Sequence, residues 1–418
     1  MDDRAGRVNS RHLGLVKVSL SAHEPGAGQI WRVEASRTAD RAARVRLGLG
    51  APRQMGSPTD SRTGLSATES PGSTGDPGAF ASGDSSGVGT RVQLGLIGLD
   101  RAGQFHAERL SLRPEFEVVA GCEPMGEAPR RLPGPRAADR PVYSRVDELL
   151  ARADLDTVLI AGSTEHRAEW TLQALEAKKD VALDVPPCAN ACQMRELVAV
   201  ARRTGRRLSI LPTRRCGTEF RTALRIVVGD QLGPLDSARL ISWGMAVPQA
   251  TSGSVPGSRI ADCDVDPFTF FAYQYVDQAL QLLRGRPRSV FGRILPPSTS
   301  DPAAIAFALA IGFEPGIDAL IDVNLKSGAV LQTGWMLAGA RGGYSGGRIY
   351  LRDESGEICD APVPQTDLPE IDVYGELVAL ARGKSDGTDS ARDAEIVMRV
   401  IDAARESSRT GQTVPLDP

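Results

Sequence analysis

From Val92 onward, short apolar runs alternate with segments of helical periodicity. The apolar runs are rich in β-branched residues and predict strands at 92–97, 116–122, 157–161, 181–183 and 208–211. Helical patterns lie between them, at 104–110, 146–151, 165–177 and 191–204. Strands and helices that alternate at this spacing predict an α/β domain, in which a parallel, doubly wound sheet has helices on both faces.

The pattern changes after about residue 213. A helix predicted at 220–228 leads to a strand at 235–247, and Asp266-Pro267 is a typical start for the helix that runs to 283. Further strands are predicted at 289–294, 317–325, 329–336 and 348–352, with a hairpin turn at 326–329 and a last helix at 390–407. Successive strands indicate a C-terminal α+β domain with a large, mostly antiparallel open sheet, so we assign residues 91–213 and 214–418 to two domains.

The first 90 residues show neither pattern. From about residue 48 to residue 90 they are mostly Gly, Ser, Thr, Pro and Asp, and such a segment buries too little apolar surface to offset chain entropy. We therefore expect residues 1–90 to be a disordered tail. It is either an artefact of an upstream start site or an extension with a regulatory or targeting role.

Composition narrows the classes of function. With 49 Lys and Arg against 52 Asp and Glu, the chain lacks the basic surplus of a nucleic-acid-binding protein. No apolar run approaches the roughly 20 residues of a membrane span. The six cysteines are scattered without a framework, which is typical of reduced thiols in a cytoplasmic protein. Cys188 and Cys192 are four residues apart, but no other Cys or His lies near them in sequence, so we expect no metal site.

The first predicted strand runs directly into a glycine-rich turn. Gly98 and Gly103 bracket this turn, and a helical pattern follows, which is typical of a dinucleotide-binding βα unit of the Rossmann kind. Gly98, Leu99, Asp100 and Gly103 are therefore candidates for cofactor contacts. The full motif has a glycine where this chain has Asp100. The carboxylate of Asp100 either repels the cofactor phosphates or caps the following helix.

Glu123 lies 25 residues after Gly98 (123 − 98), directly after the second predicted strand. An acid at this place can accept a hydrogen bond from the ribose 2′-hydroxyl, and it disfavours the 2′-phosphate of NADP. The sequence thus predicts NAD, with NADP the less favoured cofactor. The alternative is that Glu123 is a solvated surface acid.

The order of these motifs resembles the Gfo/Idh/MocA family, named after glucose–fructose oxidoreductase and inositol dehydrogenase. The matching stretches are 98–106, 158–166, 179–186, 215–233 and 399–414. The resemblance implies a Rossmann domain, a sheet domain that often forms homo-oligomers, NAD(P), and hydride transfer to or from a sugar, a cyclitol or a similar polyhydroxylated substrate. It also places Ser163 beside the cofactor and Arg215 at a basic position of the substrate site.

This chain departs from the family pattern at three positions that bind the cofactor or take part in catalysis. Asp100 is the first. The second is Asp184-Val185-Pro186, which stands where the family typically has Glu-Lys-Pro, so the lysine that contacts the substrate hydroxyl and helps to move the proton is absent. The third is Gln274, at a position where the family often has a titrating histidine. Proton transfer would then fall to other side chains, and the candidates are Asp184, Asp277, His166 and Tyr275.

Each of these candidates also has a plain structural interpretation. His166 follows a predicted buried strand, at the end where open α/β sheets bind ligands. Gln274 and Asp277 share a helix face, but Asp277 could equally form a surface ion pair with Arg284 or a neighbour. Arg215 could form a salt bridge at the domain junction, and His106 fits packing or capping better than a site role. Two functions remain open: an NAD-dependent oxidoreductase, or a catalytically silent homologue that keeps the fold for ligand binding or scaffolding.

Overall fold

We describe a computed structural model, which covers residues 91–126, 132, 139–244, 266–295, 305–314, 316–326, 334–363 and 371–417. The tail predicted to be disordered, residues 1–90, lies outside the described residues.

The first sheet has six strands, all paired in parallel. They are β1 (Val92–Ile97), β2 (Phe116–Cys122), β3 (Val142–Tyr143), β4 (Thr157–Ile160), β5 (Asp180–Asp184) and β6 (Leu208–Leu211). Their order is β3-β2-β1-β4-β5-β6, so the chain reverses its direction of travel across the sheet between β1 and β4. The carboxyl ends of the strands at such a switch point form the usual ligand crevice of an open α/β sheet.

Four helices connect these strands: α1 (Arg101–Leu112), α2 (Val146–Leu150), α3 (Thr164–Glu176) and α4 (Ala191–Thr204). Helix α4 shows why the sequence specified its ends well. The Asn190 side chain accepts a hydrogen bond from Gln193 N at 3.0 Å, and Gly205 ends the helix in the left-handed conformation. The prediction of a doubly wound parallel sheet is confirmed.

The C-terminal part begins with a short 3-10 helix (Thr213–Cys216) and α5 (Thr218–Val228). Helices α6 (Pro267–Leu283), α7 (Val373–Ala381) and α8 (Thr388–Thr410) complete its helical elements among the described residues. Its strands are β7 (Leu235–Trp243), β8 (Pro287–Leu295), β9 (Ala306–Phe313), β10 (Ile317–Asn324), β11 (Gly334–Gly339), β12 (Gly342–Ser345), β13 (Arg348–Arg352), β14 (Ile358–Ala361) and β15 (Val414–Pro415). They form a nine-stranded sheet, ordered β14-β13-β12-β11-β7-β10-β9-β8-β15. All its pairs are antiparallel except β7 with β10, as the mostly antiparallel prediction requires.

The predicted hairpin at 326–329 is wrong. Strand β10 pairs in parallel with β7, where Asn324 lies opposite Trp243, and β11 pairs with the other edge of β7. A turn-like sequence identifies a chain reversal but not the neighbouring strand, and here β7 lies between the two segments. Strand β9 is missing from the predicted elements because it contains three alanines and a glycine, which are depleted in strands.

Helices of the C-terminal part pack against both sheets. Leu377 and Leu380 of α7 join the hydrophobic core around Leu94 and Leu110 of the first sheet and its helix α1. At one end of α8, Ser390 Oγ accepts from Ile210 N of β6 at 3.0 Å. At the other end, the hydroxyl oxygens of Ser407 and Ser408 accept from backbone N–H groups of β8, at 2.9 Å each. These contacts place residues from the end of the chain beside the strands of the first sheet.

None of the described helices is both long and apolar enough to cross a membrane. In the same part of the chain, five cysteines are free thiols, and no group of three or more His, Cys, Asp or Glu side chains is arranged to hold a metal ion. Cys263 lies outside the described residues.

Candidate functional site

The glycine turn after β1 is packed against the turn after β4. Gly98 has a φ of +81°, and a Cβ there would lie 2.6 Å from Ala161 O. Gly162 has a φ of +73°, and a Cβ there would lie 2.9 Å from Gly98 Cα, while a Cβ at Gly103 would lie 1.8 Å from Gly98 O. Only glycine fits these three positions. The two turns therefore form one narrow edge at the switch point of the sheet.

Asp100 is the N-cap of α1. Its Oδ1 atom accepts hydrogen bonds from Ala102 N at 3.0 Å and from Gly103 N at 3.1 Å. The capping alternative is therefore correct. It has a chemical consequence as well, because backbone N–H groups at a helix N-terminus are the donors that a bound phosphate uses. The protein's own carboxylate already occupies them.

Glu123 is buried at the end of β2, with an exposed fraction of 9 %. One carboxylate oxygen accepts from Leu99 N at 2.6 Å, and the other accepts from Met125 N at 3.1 Å. The alternative of a solvated surface acid is thus wrong. Each oxygen accepts one hydrogen bond here and keeps a second lone pair, so Glu123 can still accept from a hydroxyl group.

Two buried hydroxyl groups lie at the start of α3, directly after the Gly162 turn. Ser163 is the N-cap of this helix, but its side chain makes no capping hydrogen bond. Ser163 Oγ and Thr164 Oγ1 are both shielded from water and have no partner among the described residues. A buried hydroxyl without a partner is costly, and a ligand that binds at this edge could supply the missing hydrogen bonds.

Asp184, the last residue of β5, is the centre of a buried polar cluster. Its Oδ1 lies 3.4 Å from His106 Nε2, and Oδ2 lies 3.8 Å from a guanidinium nitrogen of Arg167. His106 Nδ1 is hydrogen-bonded to the Tyr374 hydroxyl at 2.9 Å. His106 Nε2 thus faces the Asp184 carboxylate, and a hydrogen on Nε2 can donate to it. Residues from α1, β5, α3 and α7 thus meet at the carboxyl end of β5.

Arg167 is fully buried and holds the surrounding turns together. It donates to the carbonyl oxygens of Gly162, Asp184 and Pro186, at 2.6 Å for Gly162 and 3.0 Å for Asp184. The bond between Val185 and Pro186 is cis. One guanidinium therefore fixes the loop after β5 against the glycine turn after β4. Val185 itself is 3 % exposed and belongs to the main hydrophobic core.

A second buried ion pair lies between the two sheet regions. Arg215 donates to both oxygens of Asp277, at 2.8 and 2.5 Å, and to Asp393 of α8 at 3.1 Å. Asp277 is 3 % exposed, so its partner is neither Arg284 nor a surface residue. Burial raises the pKa of the Asp277 carboxyl, and the hydrogen bonds from Arg215 oppose that effect. The junction salt bridge proposed for Arg215 is present.

The other candidates are not joined to these clusters by the described hydrogen bonds. Gln274 is buried on α6, and the Tyr275 hydroxyl donates to Ser242 Oγ at 3.1 Å. His166 is about one-third exposed on the first turn of α3, with its ring stacked on Trp170 and its Nδ1 3.8 Å from Glu169. Contacts that would bring His166, Gln274 and Asp277 together around Asp184 are not found in the described residues.

The comparisons with known proteins agree with this arrangement. The family model for oxidoreductases with an NAD-binding Rossmann fold, GFO_IDH_MocA, matches residues 92–211, which are the six strands and four helices of the first sheet. This region of the chain belongs to the Gfo/Idh/MocA family. The Rhizobium meliloti rhizopine catabolism protein MocA is 24 % identical over 328 residues, which cover 76 % of this chain and 95 % of that protein.

Two further proteins are similar to this chain, one in sequence and one in structure. Myo-inositol 2-dehydrogenase of Thermotoga maritima is 23 % identical over 182 residues, covering 44 % of this chain and about half, 54 %, of that enzyme. The crystal structure of an NAD-binding protein from Listeria innocua aligns with a TM-score of 0.65 at 19 % identity, over 78 % of this chain and 99 % of that one. The structural match supports the fold of both sheet regions.

The edge formed by the Gly98–Gly103 and Gly162 turns, called the cofactor edge below, has residues that fit a dinucleotide. The glycine positions allow close backbone approach, and the unpartnered hydroxyls of Ser163 and Thr164 lie at the same edge. Asp100 is the feature that competes with the cofactor, because it uses the N–H groups of α1.

Arg167 and Tyr374 are site residues that sequence reasoning missed. Arg167 directly follows His166 on a helix face whose neighbours Ala168 and Thr171 are buried, so a charge within an apolar helical stripe was an available signal. Tyr374 had no such signal, because its partner His106 is 268 residues away.

We expect the variant Asp184→Asn to lower the free energy of unfolding by about 1–3 kcal/mol at pH 7, because buried Arg167 loses its counter-charge. Burial raises the pKa of Asp184, but the hydrogen bond from His106 and the electrostatic attraction of His106 and Arg167 outweigh burial, and the net pKa is lowered. A lowered folded-state pKa stabilises the protein above the unfolded value of about 3.9, and this contribution disappears as pH falls through the folded value.

The difference in the free energy of unfolding between wild type and Asp184→Asn should therefore become smaller from pH 7 towards about pH 3. Urea unfolding at both pH values measures it. The control is Asp154→Asn, which removes an exposed carboxylate paired with Arg152 and should change little. A difference for Asp184→Asn that is constant with pH would contradict the assignment of a charged Asp184.

Proposed function

We propose that this protein is an NAD-dependent oxidoreductase that acts on a CH–OH group of a sugar, a cyclitol or a similar polyhydroxylated compound. The observation that carries the proposal is the cofactor edge, where the close glycine turns meet the buried, unpartnered hydroxyls of Ser163 and Thr164. A relative named myo-inositol 2-dehydrogenase and a family of NAD-binding oxidoreductases support the substrate class.

In this proposal NAD lies over the turn from Gly98 to Gly103. Leu99 contributes backbone, and Ser163 contributes its hydroxyl. Glu123 accepts from a ribose hydroxyl with its free lone pairs, and its negative charge disfavours a 2′-phosphate. When bound, the nicotinamide supplies hydride transfer, and the protein supplies position and electrostatics.

We propose that the Asp184 carboxylate is the base that accepts the proton of the substrate hydroxyl. Its carboxylate lies at the carboxyl end of β5, and the lowered pKa keeps it ionised at neutral pH. His106 and Tyr374 form a hydrogen-bonded chain behind it, which orients the carboxylate. Asp277 is the less suitable base, because Arg215 engages both of its oxygens. Gln274, Tyr275 and His166 remain proposed substrate contacts, together with Arg215.

Two observations favour the second candidate function, a catalytically silent homologue that binds a ligand or acts as a scaffold. Val185 is buried in the core at the position of the family's lysine, and Asp100 fills the phosphate-binding donors of α1. Both features weaken the chemistry without disturbing the fold.

We also propose a cytoplasmic homo-oligomer that forms through the open face of the nine-stranded sheet. Phe291 and Met336, which are 46 % and 39 % exposed, lie on one row across this face, with Ala310, Leu320 and Arg239 between them. Exposed apolar side chains that form a row are typical of an interaction surface. Sedimentation analysis measures the mass of the assembly.

Fluorescence titration with NADH and NADPH tests the proposal most directly. We expect NADH to bind more tightly than NADPH, and Glu123→Gln to reduce that preference because it removes the charge and keeps an acceptor. Turnover is then measured as NADH formation with myo-inositol and glucose. Tighter binding of NADPH would refute the NAD assignment. Failure of both nucleotides to bind would favour the silent homologue.

A further inference from the structure

An open, polar pocket of about 560 Å³ lies beside the amino ends of β5 and β6, whereas the cofactor edge lies at the carboxyl ends of the strands. Its lining comes from two loops: Gly205, Arg206 and Arg207 lead from α4 into β6, and residues 383–386 lead from α7 into α8. Both loops lie where strands β5 and β6 begin, whereas Asp184 lies where β5 ends. A five-residue strand spans roughly 16 Å, so this pocket and the dinucleotide edge are separate.

Three cationic side chains line this pocket: Arg206, Arg207 and Lys384. Arg207 is fixed in place, since its backbone N–H and its guanidinium both donate to buried Asp180. The cations Arg206 and Lys384 have no carboxylate partner within ion-pair distance among the described residues. Arg206 is left with a 3.4 Å contact to Lys178 O, and its Nε hydrogen is shielded from water without an acceptor. Asp180 offsets the charge of Arg207, and Asp386 in the lining offsets one further charge, so the pocket keeps a small surplus of positive charge from Arg206 and Lys384.

The shape of the pocket is built into the backbone. Gly383 has a φ of +68°, and a Cβ there would lie 2.9 Å from a guanidinium nitrogen of Arg207, so a side chain would fill the space in front of that cation. Gly387 has a φ of +73°, and a Cβ there would lie 2.2 Å from Leu208 O, so only glycine lets the loop pack this closely against the start of β6. The backbone of the pocket and the side chain of Arg207 are thus preorganised, which lowers the conformational entropy lost when an anion binds.

The remaining side chains of the pocket indicate which chemical groups the ligand carries beside its anionic group. The pocket has no aromatic side chain on which a nucleobase could stack. It has the Ser385 hydroxyl, which accepts from Gly387 N and can donate, and the carboxylate of Asp386, which accepts from Thr388 N and can accept from a further hydroxyl. A carboxylate beside three cations suits a ligand that has hydroxyl groups next to its phosphate.

We propose that this pocket binds the phosphate monoester of a small polyhydroxylated compound, with the phosphate on Arg206, Arg207 and Lys384 and a hydroxyl group on Asp386. This site is independent of the proposed oxidoreductase function, because it shares no residue with the cofactor edge.

Isothermal titration calorimetry of the full chain in 150 mM NaCl tests the proposal, with glucose 6-phosphate, glucose and inorganic phosphate as probes. We expect saturable binding of glucose 6-phosphate, weaker binding of inorganic phosphate, and no binding of glucose. Arg206→Gln and Lys384→Gln should each weaken glucose 6-phosphate binding about tenfold or more, as the loss of a charge-assisted hydrogen bond requires.

The matched control is Arg195→Gln, which removes an exposed arginine of α4 outside the pocket and should bind as the wild type does. Phosphate could also bind at the glycine turn, and affinity that is unchanged in Arg206→Gln and Lys384→Gln would place it there and overturn the proposal. Binding only at low salt would indicate diffuse attraction and overturn it too. Equal affinity for inorganic phosphate and glucose 6-phosphate would refute the role of Asp386. These outcomes do not depend on NADH binding.

Discussion

Replacing Asp100 with glycine is expected to tighten NADH binding by about 1–3 kcal/mol, or roughly 5- to 150-fold. Two effects act in the same direction. The substitution frees the N–H groups of Ala102 and Gly103, which Asp100 now occupies, and it removes a negative charge from the place where the pyrophosphate binds in this fold. The cost in stability is small, since glycine is itself an acceptable N-cap and loses only a few tenths of a kcal/mol.

Fluorescence titration measures the change, and Asp100→Asn separates the two effects. Asparagine keeps an oxygen that can cap α1 but carries no charge. If repulsion dominates, Asp100→Asn tightens binding about as much as Asp100→Gly does. If occupied donors dominate, only glycine has the effect. Unchanged NADH affinity in both variants, with the fold intact, would show that Asp100 does not limit cofactor binding.

The second large effect is expected at the buried ion pair. Arg215→Met should lower the free energy of unfolding by about 3–5 kcal/mol, because it leaves Asp277 buried without its partner. Urea unfolding at pH 7 measures the loss. Burial raises the pKa of the Asp277 carboxyl, so the unpartnered group should take up a proton as the solution is acidified, and the loss should shrink towards pH 4.

A double variant and a surface control make this result specific. Arg215→Met combined with Asp277→Leu removes both charges and should recover much of the stability. Arg341→Met breaks the exposed pair with Asp230 and should cost no more than about 1 kcal/mol. Equal losses at the buried and the exposed pair would contradict the view that Asp277 is desolvated.

Local signals predicted the first sheet well. Apolar runs and a terminating Gly205 are properties of neighbouring residues, and they predicted five of its six strands to within a few positions. The two-residue strand β3 was not predicted. The nine-stranded sheet was harder. Its central strand β7 pairs with β10 and β11, which lie about 80 and 100 residues further along the chain, and no local pattern encodes that choice.

The candidate site likewise contains residues that local motifs identified and residues that they did not identify. Glu123 and the glycine turn were found because their spacing follows a short motif, and Asp184 was found because residues 179–186 resemble a family motif. What surrounds them was not found. The partners of Asp184 and Asp277 are His106, Arg167 and Arg215, from 17 to 78 residues away in sequence (184 − 167 and 184 − 106). Whether a polar side chain faces a buried partner or solvent depends on tertiary packing, which the sequence pattern does not contain.

Helix α8 has a consequence for how the protein unfolds. Its 23 residues span about 34 Å, and its ends are hydrogen-bonded to β6 of the first sheet and to β8 of the second. Neither sheet can lose its order without exposing one side of this helix. Residues 92–415 should therefore melt in a single cooperative transition, although they contain two sheets, and a fragment that stops at residue 213 should fail to fold because α7 and α8 are missing from its core.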